Sequence, residues 1–131
     1  MKKINVAELF VLELGQGFLV REVVGLDAPL TTSTVSLAHF SLESGRSFAA
    51  HTHRHSHEIY VGISGRAEIS LNGETIEVAA SDAVLFKPGD VHAGKAIGGE
   101  PYVYWAITTP AYHPDDHIAA DNHGDSSVSP E

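Results

Sequence analysis

The sequence predicts an all-β fold, a sandwich or small barrel, and three observations carry the prediction. Short stretches rich in Val, Ile, Thr and aromatic residues recur at spacings of roughly 8–12 residues, with turn signals between them. No long amphipathic helical pattern interrupts them. Asn72-Gly73 separates two such stretches by two residues, a strong hairpin signal because both turn positions want φ > 0.

In chain order, Phe18–Val24 reads as the first clear strand, and residues 4–14 as an N-terminal strand that packs on a partner subunit. Thr31–Leu42 follows, with Val35, Leu37 and His39 on one face and Ala38 and Phe40 on the other. Glu43-Ser44-Gly45-Arg46 is a turn. Ser47–His53, Ile59–Ser64 and Ala67–Leu71 are the next strands, and the Asn72-Gly73 turn leads into Thr75–Val78. Ala83–Phe86, Val91–Ile97 and Tyr102–Thr108 complete the set, with Gly98-Gly99-Glu100-Pro101 as the last turn. Residues 1–110 thus form one domain. From Ala111 the chain loses apolar periodicity and becomes rich in Asp, His, Ser and Pro, which predicts a flexible tail over 111–131 with its first few residues packed on the body.

A chain of 131 residues can build a core without staples. With no cysteine, disulfides, thiolate catalysis and cysteine zinc sites are excluded. The net charge of −9 argues against nucleic acid as a partner, since phosphate binding needs a basic surface. Five acids lie beyond residue 110, so residues 1–110 are only mildly acidic, with 12 acids against 8 bases. Glu8 and Glu13 interrupt the apolar stretch after the basic start, and neither a signal-peptide cleavage pattern nor a membrane-length apolar span follows. A soluble cytoplasmic protein is expected, without a membrane partner.

Chemistry is concentrated in one place. His51, His53, His55 and His57 occupy alternate positions and run into Glu58. Alternate side chains of a strand share a face, so two of these imidazoles and a nearby carboxylate can converge on one cation. Imidazole suits zinc, copper, iron and nickel, and a carboxylate adds manganese.

Reading outward, Gly45, His51, His53, Glu58 and Gly65 spell Gly-x5-His-x-His-x4-Glu-x6-Gly. This pattern resembles the first motif of the cupin superfamily in full. Ser81 to His92, with Pro88-Gly89-Asp90 before His92, is similar to the second motif, Gly-x5-Pro-x-Gly-x2-His-x3-Asn. It departs from that motif at Ser81 (for the first glycine), Lys87 (for proline) and Ala96 (for asparagine). The resemblance spans roughly residues 34–109 and implies a double-stranded β-helix, the jelly-roll barrel of cupins. It implies His51, His53, Glu58 and His92 as ligands of one divalent transition metal (Fe, Mn, Ni, Zn or Cu). A His53/His55 or His55/His57 pair does not fit the motif spacing, which leaves His55 and His57 as exposed turn residues, with His57 keeping a smaller claim as a pocket residue.

The step from His53 to Glu58 is odd, so a turn or bulge between Arg54 and His57 is required to bring the carboxylate to the histidine face. Tyr60 shares parity with Glu58 and is expected to point into the barrel; its plainer alternative is a packed core tyrosine. Glu58 and Tyr60 are the candidate catalytic residues. His39 reads as a core residue, and Trp105 is preferred to Tyr104 for the core. Arg46, Arg54 and Arg66 read as solvated charges, and His113, His117 and His123 as tail residues. Ile59, Val61 and Ile63 make an apolar row opposite Glu58 and Tyr60, which predicts a homodimer that covers it. The resemblance implies a metal-dependent enzyme acting on a small organic substrate, a dioxygenase or a related lyase, cyclase or isomerase. The alternative is a non-catalytic metal or small-ligand module such as a sensor.

Overall fold

The structure, a computed structural model, describes residues 1–120. After a single 3-10 turn at Val6–Glu8, the strands are β1 (Leu12–Gly15), β2 (Phe18–Gly25), β3 (Leu30–Thr31), β4 (Ser36–Leu42), β5 (Ser47–His53) and β6 (His57–Ser64). There follow β7 (Arg66–Leu71), β8 (Glu74–Ala79), β9 (Ala83–Phe86), β10 (His92–Ile97), β11 (Tyr102–Thr109), a 3-10 turn at Pro114–Asp116 and β12 (His117–Ala119). They form a seven-stranded sheet in the order β1-β2-β4-β11-β6-β9, with β3 on β2, and a five-stranded sheet in the order β12-β5-β10-β7-β8. Neighbours pair antiparallel apart from the short parallel β2–β3 ladder. This is the two-sheet jelly-roll that closes alternating strands around one core. No helix among the described residues is long and apolar enough to cross a membrane.

Alternation places the core between the sheets. In β11, Tyr102, Tyr104, Ala106 and Thr108 are buried, and the residues between them are half-covered. In β6 the buried set is Glu58, Tyr60 and Gly62, so Ile59, Val61 and Ile63 face outward. Register stacks the inward residues of the larger sheet in rows across the strands. Ser36, Thr108, Glu58 and Phe86 form one row, and Glu22, Ala38, Ala106, Tyr60 and Val84 the next. Below these lie Val20, Phe40 and Tyr104, then Phe18, Leu42 and Tyr102.

Several sequence expectations need correction. The stretch 31–42 is two strands, because residues 32–35 leave the sheet after Thr32 N–H donates to Gly25 O at 3.1 Å. Only Leu12–Gly15 of the N-terminal segment is strand, and it pairs with β2 of its own chain, Leu12 opposite Val20. Ahead of it, the Asn5 side chain accepts from Ala7 N–H and holds a turn instead of extended chain. Tyr104, not Trp105, faces the core; Trp105 lies on the outer face, edge-on to His39 at 5.1 Å. The tail does not begin at 111: Ala111 and Asp116 are buried, and β12 adds to the edge of β5, His117 opposite His53. Pairing with a strand some 60 residues earlier leaves no local periodicity to read. The remainder of the expected tail, including His123, lies outside the described residues.

Candidate metal centre

His51 and His53 leave β5 on the inner face, His92 opens β10 directly opposite His51, and Glu58 sits near the start of β6. A bulge makes the first part of this work. Gly94 and His92 of β10 pair with Phe48 and His51 of β5, so one extra β5 residue lies between the two pairs. Phe48 and His51 therefore both point inward despite opposite parity, and both are buried. A side chain at position 94 would collide with the Phe48 ring, 2.4 Å from an added Cβ, so glycine there admits the bulged packing. The bulge also aims Ala49 O at Nδ1 of His51, 2.9 Å away.

The odd step to Glu58 is absorbed by Arg54–Ser56, a three-residue connection outside both strands. Ser56 is buried within it, while His55 and His57 are exposed, as are Arg46, Arg54 and Arg66. His92 follows a turn fixed by Asp90, whose carboxylate accepts from Lys87 N–H at 2.8 Å and from the Asn72 amide at 3.1 Å. Asp90 O lies 3.2 Å from His92 Nδ1. Ser81 stands where the second motif has glycine, and its φ of +72° keeps the left-handed backbone that glycine would supply.

One ligand atom from each of His51, His53, Glu58 and His92 lies within 4.8 Å of the others, and all four side chains are buried. Nε2 of His92 and of His53 both approach Oε1 of Glu58, at 3.0 and 3.3 Å, while Thr108 Oγ1 donates to Oε2 at 3.2 Å. A carbonyl only accepts, so Ala49 O and Asp90 O place the proton of His51 and of His92 on Nδ1 and leave Nε2 to face the cluster. An unprotonated Nε2 against a carboxylate oxygen needs a cation between them, a proton or a metal ion. The donor set fits a divalent transition ion: three imidazole nitrogens with fixed tautomers or a charged neighbour, and one carboxylate.

Electrostatics agree. Burial opposes charge on Glu58, but the His53 and His92 imidazoles outweigh it and hold the carboxyl well below the usual carboxylate range. Burial, with His92 nearby, pushes His51 down to about 3. For His53 burial acts downward as well, yet the hydrogen bond and charge of Glu58 leave it raised. Burial, then the Glu58 carboxylate, keep the Tyr60 hydroxyl protonated well above its ordinary value. The Tyr60 ring is packed at 4.8 Å from both Phe86 and Tyr104, one row below Glu58.

The chain matches the family model described as "Cupin domain" over residues 38–108. It belongs to the cupin family. No curated protein sequence matches it. Among solved structures, an uncharacterized conserved protein with a double-stranded β-helix domain from Klebsiella pneumoniae superposes with a TM-score of 0.74 at 24% identity, covering 93% of this chain and 99% of that one. Pac13, a nucleoside dehydratase from Streptomyces, gives 0.75 at 18% identity, with 92% and 91% covered, and has also been solved with uridine. KdgF from Halomonas gives 0.72 at 17% identity, with 83% and 92% covered. At such identities the likeness establishes the cupin fold.

Four further residues join this region that the sequence reading did not use. Thr108 bonds Glu58; its parity with Tyr104 was the available signal. His117 stacks face to face on His51 at 4.7 Å, with the rings 1° from parallel. Tyr112 stands edge-on to His53 at 6.4 Å and lines a cavity of about 430 Å³ together with Glu22, Asp27, Ser36 and Asp115. Glu22, of the same parity as Phe18 and Val20, is raised by burial and by Asp27.

Proposed function

We propose that this cupin is a metal-dependent enzyme in which His51, His53, Glu58 and His92 hold one divalent transition ion, and that it acts on a small organic substrate. The observation that carries the reading is the convergence of three imidazoles and one carboxylate, all buried, within 4.8 Å. When bound, such an ion supplies Lewis acidity and, if redox-active, access to dioxygen. The chain's own groups would do the rest. Glu58, where it is only weakly coordinated to the ion, would accept a substrate proton at a carboxylate oxygen. Tyr60, held protonated, offers a hydroxyl proton from the row beneath. The reaction class proposed is oxygenase or a related lyase, cyclase or isomerase chemistry.

The test is elemental analysis of protein made without an affinity tag, followed by turnover assays after separate loading with iron, manganese and nickel. Substrates are diketones, flavonols, small acids and, on the likeness to the nucleoside dehydratase, nucleosides. Oxygen uptake separates oxygenase from non-redox chemistry. His53→Ala is expected to lose metal and activity together; turnover that survives the substitution overturns the mechanism.

A second reading, a non-catalytic metal or small-ligand module, is favoured by one observation: the four residues are at most 7% exposed, above a core filled by aromatic rings. Water-proton relaxation by the manganese-loaded protein decides between them. Enhanced relaxation marks an open coordination position and favours the enzyme.

We also propose a homodimer in which a second copy covers the outer face of β6 and β9. Ile59, Val61, Ile63 and Leu85 line that face, with Ile63 and Leu85 exposed. Sedimentation that finds only monomer at micromolar concentration refutes it.

A further inference from the structure

Two of the three imidazoles have a backbone carbonyl behind Nδ1: Ala49 O for His51 and Asp90 O for His92. His53 has none. Its Nδ1 is buried and without a hydrogen-bond partner among the described residues, and Asp116 Oδ2 lies 3.8 Å from it. Asp116 comes from the segment beyond the last long strand, in the 3-10 turn that precedes β12.

The same residue governs the path from His53 to Glu58. Arg54 N–H donates to Asp116 O at 3.0 Å, His55 N–H to Oδ1 at 2.7 Å and Ser56 N–H to Oδ2 at 3.2 Å. These are the three residues that join β5 to β6, and each uses its backbone donor on Asp116. One residue, through its carbonyl and its carboxylate, therefore fixes the turn that brings Glu58 inward, and its carboxylate stands behind the imidazole at the other end of it.

We propose that Asp116 is a positioning residue of the metal centre: it accepts the Nδ1–H of His53 when Nε2 ligates the ion, and it holds the 54–56 turn that delivers Glu58. A carboxylate behind a ligating histidine fixes its tautomer and ring orientation and makes the nitrogen a better donor. The inference rests on the proposed metal-binding function, and extends the site to a segment outside both sequence motifs.

Zinc and manganese dissociation constants of the full chain are the primary readout, with the midpoint of thermal unfolding measured beside them. Asp116→Asn leaves one acceptor oxygen for the two N–H groups, of His55 and Ser56, that bond the carboxylate, and removes the charge behind His53. It is expected to keep the fold with a lowered unfolding midpoint and to bind either metal about 10–100-fold more weakly. Asp116→Asn protein with parental affinity overturns the proposal, and the measurement that follows separates the contact with His53 from the hold on the turn. A second measurement needs no substitution at 116. In zinc-loaded parent protein, long-range nitrogen–proton NMR, with His53 assigned through His53→Gln, is expected to show Nε2 ligated and a slowly exchanging proton on Nδ1. Ligation through Nδ1, or a rapidly exchanging proton there, overturns it. Parent protein that binds zinc no better than His53→Ala removes the metal-centre reading and this one with it, whereas tight binding that ignores Asp116 removes this one alone.

Discussion

The two ends of the barrel interior are built from the same strands and behave as different materials. At one end Ser36, Thr108 and Glu58 face His51, His53 and His92; at the other Phe18, Phe40, Leu42, Phe48, Tyr102 and Tyr104 fill the space. In the aromatic end, Phe18 stacks on Phe40 at 5.2 Å and Phe40 on Tyr104 at 5.3 Å, and Phe18, Leu42 and Tyr102 are wholly buried. Removing such ring surface from water is favourable, at the cost here of a Tyr102 hydroxyl buried without a partner among the described residues. Burying a carboxylate among imidazoles is not: it costs desolvation that is recovered only through hydrogen bonds and opposite charge. The fold is therefore held from the aromatic end, and the polar end is tolerated because it does something else.

Paired substitutions break this comparison most sharply. Phe18→Ala is expected to cost about 3–5 kcal/mol of stability, the usual range for emptying an aromatic site in a packed core. Metal affinity of the folded fraction should be unchanged, since Phe18 lies several rows from the cluster. Glu58→Gln should do the reverse. His53 can release its proton when the carboxylate is gone, so metal-free stability should move by no more than about 1 kcal/mol, while metal affinity collapses. Denaturant titration with and without zinc checks both; a Glu58→Gln protein destabilised as much as Phe18→Ala would erase the distinction.

A smaller and more gradual effect sharpens the picture. All four tyrosines of the chain have raised folded pKa values, Tyr102 and Tyr112 to about 12 and Tyr60 and Tyr104 well above 10, each with burial as the leading cause. The fold thus holds the phenolic proton more tightly than the unfolded chain does. The stability this contributes is complete below the ordinary value near 10 and is lost as pH rises through the folded values. Alkaline titration followed at once by tyrosinate absorbance and circular dichroism should show the two changing together. Tyrosinate formed in a native fold near pH 10 would contradict the burial described.

Much of this was legible beforehand, and the reasons are local ones. The motif resemblance put Glu58 on the ligand face; alternation is a property of a strand's own residues, so the placement of Tyr60 beside it and the outward row Ile59, Val61 and Ile63 then followed from parity. The Asn72-Gly73 turn announced itself because φ > 0 at both positions is a chemical demand, met here at +49° and +87°. The spacing of His53 and Glu58 required a connection between them, and Arg54–Ser56 is that connection. Where parity alone was used for the core, it left Trp105 and Tyr104 undecided, and the wrong one was preferred: the larger apolar ring lies on the outer face, where only the closing of the two sheets tells inside from outside.

The alternation of apolar residues, the turn chemistry and the two cupin-like motifs pointed to most of the strands and to the four side chains of the candidate centre, because each depends on residues close together in the chain. Tertiary structure alone decided the rest. The β5 bulge that puts Phe48 and His51 on one face exists only against Gly94 of β10, and β12 becomes a strand only by pairing with β5. Asp116 counts in sequence only as one of the acids beyond residue 110; the closed barrel brings three backbone donors to it and sets its carboxylate 3.8 Å from a buried imidazole nitrogen. Such contacts join residues some 60 positions apart, and no periodicity in the chain records them.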